Sequence, residues 1–200
     1  MKPIIGITGR VHKKRNGVKP KYLQILEKYG GIPLIITNLD KRILNLCNGF
    51  ILPGGYEWNE TDHGMILHAK RLDKPLLGIC LGMQAIANNG LEDKTKINDS
   101  YIEHYVPNKS EGHRVMIDMD SKLGRIIKQE YISVNSRHKY HIVEGNEIQV
   151  NAISEDGIVE GIELPNYRFI MGVQWHPEDL DNEISERLFK SFIRASKKRN

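Results

Sequence analysis

One of the two cysteines lies in a pattern typical of a catalytic nucleophile. Cys80 stands between two glycines in the run Gly78-Ile79-Cys80-Leu81-Gly82, the thiol counterpart of the Gly-x-Ser-x-Gly turn. In that turn a strand passes sharply into a helix, and small flanking residues let the two pack closely. The helix N-terminus favours a thiolate and supplies N–H donors to developing negative charge. A buried structural cysteine is the alternative, and this motif alone does not decide between them.

A histidine and a glutamate two residues apart could complete the chemistry. His176 and Glu178 flank Pro177 in the run Val173-Gln174-Trp175-His176-Pro177-Glu178. A thiol nucleophile needs a base that takes its proton and later protonates the departing amine. A neighbouring carboxylate holds the imidazole in one tautomer and stabilises its protonated form. A lone histidine is more often structural, but together with the cysteine turn this pair predicts a Cys80–His176–Glu178 triad.

A third segment could supply the oxyanion hole of such a site. Leu52-Pro53-Gly54-Gly55 follows an apolar run, and a tetrahedral intermediate needs two backbone N–H donors. The N–H groups of Gly55 and Leu81 are the candidates. By itself Pro-Gly-Gly is more often an ordinary turn.

Short apolar runs alternate with helical patterns and must position these segments. The pattern predicts strands near residues 4–7, 32–36, 50–52, 75–79, 113–118, 131–134, 148–153, 158–163 and 169–174. Helices are predicted near residues 22–29 and 62–72, from residue 81, and from residue 183. Such alternation predicts an α/β domain with a mixed, partly parallel sheet. Ligands bind beyond the carboxyl ends of parallel strands, where all three segments are expected.

Composition excludes several other classes. The 200 residues are 40% hydrophobic and 27% charged, which fits a single globular domain over residues 1–200. No apolar run could span a bilayer and no signal-peptide pattern is present, so we expect a cytoplasmic protein. Cys47 and Cys80 form no CxxC pair or Cys/His ligand cluster, so we expect neither a disulfide framework nor a structural zinc site. The net charge of +4 is too small to indicate nucleic-acid binding, and the basic residues after 187 indicate a solvated helix end rather than a docking patch.

Together these motifs resemble the class I glutamine amidotransferase superfamily, in particular its free-standing γ-glutamyl hydrolase branch. The likeness extends over nearly the whole chain and includes Gly6-Ile7-Thr8, Gly30-Gly31-Ile32-Pro33, Leu52-Pro53-Gly54-Gly55, Gly78-Ile79-Cys80-Leu81-Gly82-Met83-Gln84, His113-Arg114-Val115, Val134-Asn135-Ser136 with His138, and Gly172-Val173-Gln174-Trp175-His176-Pro177-Glu178. It implies a flavodoxin-like fold with a largely parallel central sheet, helices on both faces and a small antiparallel extension. It also implies a glutamyl thioester on Cys80 that water resolves to L-glutamate, with no cofactor and no metal. The residues that it places around the glutamyl group are Gly54, Gln84, Asn135, Ser136 and His138.

Two departures from the branch fall where a leaving group would be bound. Lys139 and Tyr140 stand where a second histidine and a glutamine are common, and residues 56–60 also differ. The leaving group is therefore open, while the chemistry is not affected.

A basic loop follows the first predicted strand and suggests a phosphorylated leaving group. Its cationic residues are Arg10, Lys13, Lys14 and Arg15, and Arg137 and Lys139 could add to them. Arginine and lysine pair well with phosphate oxygens, although a solvated basic loop is the simpler interpretation. Overall similarity within the branch implies γ-glutamyl-CDP-amidate, the precursor of CDP-amidate in capsule modification, as substrate.

Three alternatives stay open from the sequence. The chain could hydrolyse another small γ-glutamyl amine, or be a glutaminase subunit that delivers ammonia to a synthase partner. A non-catalytic binding module on the same fold is less consistent with a complete triad. We expect a small-molecule substrate and no nucleic-acid or membrane partner; self-association is left open.

Overall fold

The structure is a computed structural model that describes residues 1–12, 15–57, 60–89, 95–97, 100, 102–107, 111–142 and 147–197. Its strands are β1 (Ile4–Thr8), β2 (Arg10–His12), β3 (Arg15–Gly17), β4 (Ile32–Ile36), β5 (Gly49–Leu52), β6 (Leu76–Ile79), β7 (Thr95–Lys96), β8 (His113–Ile117), β9 (Tyr131–Val134), β10 (Tyr140–His141), β11 (Gln149–Ser154), β12 (Val159–Glu163) and β13 (Ile170–Val173). Its α-helices are α1 (Pro20–Lys28), α2 (Lys41–Leu46), α3 (Glu60–Leu72), α4 (Leu81–Ala87), α5 (Lys122–Ile127) and α6 (Glu183–Ser196), and one 3₁₀ turn covers Pro177–Asp179.

Nine strands form one sheet in the order β4-β1-β5-β6-β13-β12-β11-β8-β9. The first five run parallel, and the last four extend the sheet in antiparallel fashion. The predicted fold is therefore confirmed, with an antiparallel extension of four strands. Two short ladders, β2–β3 and β7–β10, lie outside this sheet.

Helices cover both faces of the sheet because each buries one apolar stripe. Helices α1, α5 and α6 pack on one face, in a core that contains Tyr22, Leu123 and Phe192. Helices α2, α3 and α4 pack on the other, in a core that contains Leu44 and Met65. Within the described ranges, no helix combines the length and apolar character needed to cross a membrane.

Most predicted elements agree with the structure. The strands predicted at 32–36 and 131–134 have the predicted bounds, and Gly30 adopts a φ of +90° just after α1, as the predicted helix end requires. Helices α2 and α5 were not predicted: each has only six residues, and each depends on a local cap from Asp40 or Ser121.

The parallel strands decide where the site lies. β1, β5, β6 and β13 are neighbours that run in the same direction. The segments after their last residues therefore meet at one edge of the sheet. These segments carry Arg10, Pro53 to Gly55, Cys80 and His176, so the fold assembles the predicted chemistry.

Candidate active site

Cys80 occupies a sharp turn between β6 and α4. Its φ and ψ are 53° and −109°, a conformation that non-glycine residues rarely adopt and that costs about 1–3 kcal/mol. The flanking glycines permit it, because a Cβ on Gly82 would lie 2.0 Å from the Leu52 carbonyl oxygen and one on Gly78 would lie 2.5 Å from the Gly82 oxygen. Only 7% of Cys80 is exposed. The backbone therefore has the geometry expected of a nucleophile turn.

His176 and Glu178 follow β13 and are joined by a short hydrogen bond. The His176 Nδ1 atom lies 2.7 Å from Glu178 Oε1, and the carboxylate is fully buried. Burial by itself would lower the pKa of His176, but the charges of Glu178 and Cys80, with hydrogen bonds to both, raise it to about 10. The ring is thus held protonated next to the thiol at neutral pH, as an imidazolium that can donate a proton to a leaving amine.

The backbone of His176 is fixed by one amide side chain. Asn135, which follows β9, accepts from the His176 N–H at 2.8 Å and donates to the His176 carbonyl at 2.9 Å. Both polar atoms of the Asn135 amide are therefore used within the protein. The Asn135 side chain therefore positions the backbone of His176, while the placement of its segment near the glutamyl group stays a prediction.

The Pro53-Gly54-Gly55 segment lies directly against the triad. A Cβ on Gly54 would lie 2.7 Å from His176 Cε1 and 3.4 Å from Cys80 Cβ, so only glycine fits there. The Gly54 N–H donates to the hydroxyl of Tyr22 at 3.1 Å. Among the described residues, the N–H groups of Gly55 and Leu81 have no hydrogen-bond partner, which leaves both free for an oxyanion.

Tyr22 is a site residue that the sequence reasoning missed. Tyr22 lies in the helix predicted near residues 22–29, where its spacing is that of a core residue, and it is 1% exposed. Burial, followed by the charge of Glu178 and a hydrogen bond to it, raises the pKa of Tyr22 well above its ordinary value. Its phenol therefore stays neutral and connects the Glu178 side of the triad with the Gly54 backbone. No sequence signal marks it, because a tyrosine at a helical core spacing looks structural.

Arg10 does not have the role predicted for it. Its guanidinium forms a buried ion pair with Asp62 of α3 and donates twice to the Pro53 carbonyl oxygen, at 3.0 and 2.6 Å. A Cβ on Gly55 would lie 2.9 Å from Arg10 Cδ. The charge of Arg10 is thus neutralised and its side chain supports the loop, so we correct its assignment as a phosphate ligand. The same prediction named Lys13, Lys14 and Arg15 as phosphate ligands. Lys13 and Lys14 lie outside the described residues, and for Arg15 the structure describes only the backbone, in β3.

The remaining predicted substrate residues lie in the interior. Ser136 donates to the His104 carbonyl oxygen at 2.7 Å, and both ring nitrogens of His138 contact protein groups. The polar atoms of both side chains are thus buried and used within the protein, and the placement of this segment near the glutamyl group stays a prediction. Gln84 is 3% exposed and donates from Nε2 to the Tyr140 carbonyl and to Gln174 Oε1, at 3.1 and 3.0 Å.

A cleft of about 510 Å³ opens in front of Cys80 and His176. Its outer wall contains Lys19, Tyr56, Tyr105 and Arg137, and no carboxylate lines it among the described residues. Arg137 pairs with Asp179 at 2.5 Å, and the Lys139 ammonium lies 4.4 Å from the centre of the Tyr105 ring. The cleft therefore combines aromatic surface with cationic groups.

Comparisons with known proteins agree with this geometry. Residues 57–178, which include the three triad residues, match the Peptidase C26 family. The chain is 29% identical to a glutamine amidotransferase-like protein of Rickettsia prowazekii, over 98% of both chains. It is 28% identical to the gamma-glutamyl-gamma-aminobutyrate hydrolase of Escherichia coli O157:H7, over 89% of this chain and 85% of that protein. Among solved structures, the glutaminase domain of Trypanosoma brucei CTPS with bound acivicin is similar, with a TM-score of 0.75, 18% identity, and coverage of 97% and 93%.

Proposed function

This chain belongs to the Peptidase C26 family, and from that premise we propose that it hydrolyses a γ-glutamyl amide through a thioester on Cys80. The Cys80 sulfur attacks the γ-carbonyl carbon, and the oxyanion is bound by the N–H groups of Gly55 and Leu81. His176 then donates its proton to the nitrogen, the C–N bond breaks, and a free amine leaves. Water, deprotonated by His176, attacks the thioester and releases L-glutamate and the thiol.

The observation that carries this proposal is the position of His176, which lines the same cleft as Cys80 and has its Nδ1 atom 2.7 Å from the buried Glu178 Oε1. The pKa of about 10 at that ring results from burial opposed by the two acidic partners. An imidazolium beside a thiolate is the reactive state of a thiol hydrolase. The free N–H groups at Gly55 and Leu81 add the donors that the tetrahedral intermediate needs.

The walls of the cleft favour a leaving amine that carries a negative charge. Lys19 and Arg137 line the cleft, and no carboxylate is among its described lining residues. Arg137 is paired with Asp179 beside the cleft, so a preference for an anionic amine depends mainly on Lys19. The name of the Escherichia coli relative specifies such an amine, since γ-aminobutyrate bears a carboxylate. γ-Glutamyl-CDP-amidate also has an anionic leaving group, and it remains the more specific proposal. Because Arg10 is paired with Asp62 and Arg137 with Asp179, that proposal now rests on Lys19 and on Lys13, Lys14 and Arg15 of the basic loop.

A substrate panel tests this function. The purified protein is given γ-glutamyl-γ-aminobutyrate, γ-glutamyl-CDP-amidate, glutamine, and the neutral γ-glutamyl-butylamine as a matched control, and glutamate release is measured. We expect the two anionic leaving groups to give higher kcat/KM than the neutral amine. Lys19→Gln should reduce that preference, while Lys128→Gln on the distant end of α5 should not. No glutamate release from any γ-glutamyl amide, by an intact protein whose Cys80 reacts with iodoacetamide, would refute the proposal.

The glutaminase fold of the Trypanosoma brucei domain favours a second candidate. In this case the chain would release ammonia from glutamine for a synthase partner. Glutamine in the same panel separates the two functions. Strong glutamine turnover that requires an added cell fraction, with no turnover of other γ-glutamyl amides, would favour the glutaminase.

A further inference from the structure

A second cluster of ionisable groups lies in the interior, apart from the lining of the cleft. It consists of His104, His113, His138, Asp156 and Glu160, whose side chains are at most 4% exposed. The proposed hydrolysis uses none of them. The five residues come from distant parts of the sequence, so no spacing motif marks them.

The hydrogen-bond partners fix where the protons of two rings lie. His138 Nδ1 is 3.1 Å from the Tyr140 carbonyl oxygen, and a carbonyl can only accept, so Nδ1 carries the hydrogen. His104 Nε2 is 2.9 Å from Asp156 Oδ2, so His104 donates from Nε2 for the same reason. In neutral rings the lone pairs are therefore at His138 Nε2 and His104 Nδ1.

These two lone pairs and one carboxylate oxygen converge on a single point. His104 Nδ1 and His138 Nε2 are 3.2 Å apart, and they lie 3.4 and 3.1 Å from Glu160 Oε1. Three acceptors at such separations repel one another, so the cluster needs a positive charge, supplied either by a proton on a ring or by a bound cation. Ligands about 2.0–2.1 Å from a tetrahedral ion are separated by about 3.3–3.4 Å, which matches the observed spacing.

The surroundings have the features of a metal centre's supporting groups. A metal-bound histidine usually donates its second N–H to a carboxylate or a backbone carbonyl, as His104 and His138 do here. Asp156 is itself held by the hydroxyls of Ser100 and Ser154. The second oxygen of Glu160 is buried and has no hydrogen-bond partner among the described residues.

From this convergence we propose that His104 Nδ1, His138 Nε2 and Glu160 Oε1 bind a divalent transition-metal ion, with Zn²⁺ the best match to the donor set. His113 Nε2 lies 3.1 Å from the same Glu160 oxygen and is the candidate fourth ligand. Imidazole and carboxylate donors suit Zn²⁺. The sequence expectation of no structural zinc site rested on the cysteine spacing, which has no bearing on a site built from histidines; this proposal also departs from the metal-free site that the resemblance implies.

The site would be structural. Glu160 lies in β12 of the main sheet, and His138 lies between β9 and β10. A shared ion would therefore tie the segment around Tyr140 to the sheet. The same Tyr140 carbonyl accepts from Gln84 of α4, four residues after Cys80. A bound ion would therefore also stabilise the helix that follows Cys80.

Metal titration of the intact chain tests the proposal without reference to activity. The protein is treated with EDTA, dialysed, and titrated with Zn²⁺ by calorimetry and with Co²⁺ by absorption spectroscopy. We expect one Zn²⁺ per chain, a higher Tm with Zn²⁺, and a four-coordinate Co²⁺ spectrum. His138→Gln and Glu160→Gln should abolish stoichiometric binding, and Asp156→Asn should weaken it about 10- to 100-fold.

Two control variants locate the ion. His176→Ala removes the other group of possible ligands, near Glu178 and Asp179, and His63→Gln removes a histidine of α3; both should still bind one Zn²⁺. Failure of the wild-type protein to bind, loss of binding in His176→Ala, or full binding by His138→Gln would overturn the proposal. If the cluster variants do not fold, X-ray absorption of the wild-type Co²⁺ complex decides, since fewer than two histidine ligands would also overturn it.

Discussion

The clearest test of the triad is the Glu178→Gln variant, which keeps the size of the side chain and removes its charge. Glu178 is fully buried, and its Oε1 lies 2.7 Å from His176 Nδ1. Glutamine can turn its NH₂ group toward Nδ1 and thereby favour the wrong imidazole tautomer. The variant should therefore lose both the charge that stabilises the imidazolium and the orientation of the ring.

The expected magnitude follows from the pKa of His176. Burial lowers that pKa, yet Glu178 and Cys80 raise it to about 10 from an ordinary 6.5, which corresponds to about 5 kcal/mol in favour of the imidazolium. If Glu178 contributes about half, its loss costs about 2–3 kcal/mol, or roughly 30- to 150-fold in kcat/KM.

The pH profile of kcat/KM shows in which direction the pKa of His176 changes in the variant. A group with a raised pKa stays protonated at neutral pH and loses its proton only as the pH approaches that value. The alkaline limb of kcat/KM should therefore lie near pH 10 in the wild-type enzyme, where His176 titrates, and move toward neutral pH in Glu178→Gln.

The assay is glutamate release from γ-glutamyl-γ-aminobutyrate from about pH 6 to about pH 11, on both sides of the His176 pKa, with circular dichroism as a check on folding. Asp181→Asn serves as the matched control, because Asp181 is an exposed carboxylate nearby that pairs with Lys28 at 3.4 Å. A Glu178→Gln enzyme with an unmoved alkaline limb and a rate within threefold of wild type would refute the reasoning.

Three further changes probe the other parts of the site. Cys80→Ala should abolish turnover and leave the circular dichroism spectrum unchanged; retained hydrolysis would exclude Cys80 as nucleophile. Tyr22→Phe leaves the Gly54 N–H without its acceptor and should lower kcat about tenfold with little change in KM, the cost of one buried hydrogen bond; an effect on KM alone would contradict a positioning role. Asp62→Asn leaves the Arg10 charge buried without its partner and should lower the free energy of unfolding by about 3 kcal/mol in urea melts. The double variant Arg10→Met with Asp62→Leu should recover much of that stability, whereas a loss of substrate affinity alone would return Arg10 to substrate binding.

The residues of the proposed triad could be identified as neighbours from the sequence because their signals are local. Cys80 and its glycines form one short turn, and His176 and Glu178 lie within one tripeptide after a strand. The parallel pairing of β5 with β6 follows from the alternation of strands and helices. The parallel pairing of β13 with β6 does not follow from it, since β7 to β12 lie between them in the chain; it was implied by the resemblance to the family.

The groups around the triad could not be predicted, because their partners are distant in sequence. Arg10 was counted as a free charge, but its carboxylate partner is 52 positions away on α3. Asn135 holds a backbone 41 positions away. Charge and motif counting cannot pair such residues, since each pairing is fixed only by the packing of whole helices and strands.

Arg10 and Tyr22, both distant in sequence from the Pro53-Gly54-Gly55 segment, hold its backbone in place. Arg10 donates to the Pro53 carbonyl oxygen and Tyr22 accepts from the Gly54 N–H, so the single peptide group between Pro53 and Gly54, the one before the Gly55 N–H, is held at both of its polar ends. Because Arg10 also packs on Gly55, the segment has little freedom to turn that remaining N–H away. A donor fixed before substrate binds needs no reorganisation when the oxyanion forms, and so we propose that the buried Arg10, paired with Asp62, keeps the Gly55 N–H in place as an oxyanion donor.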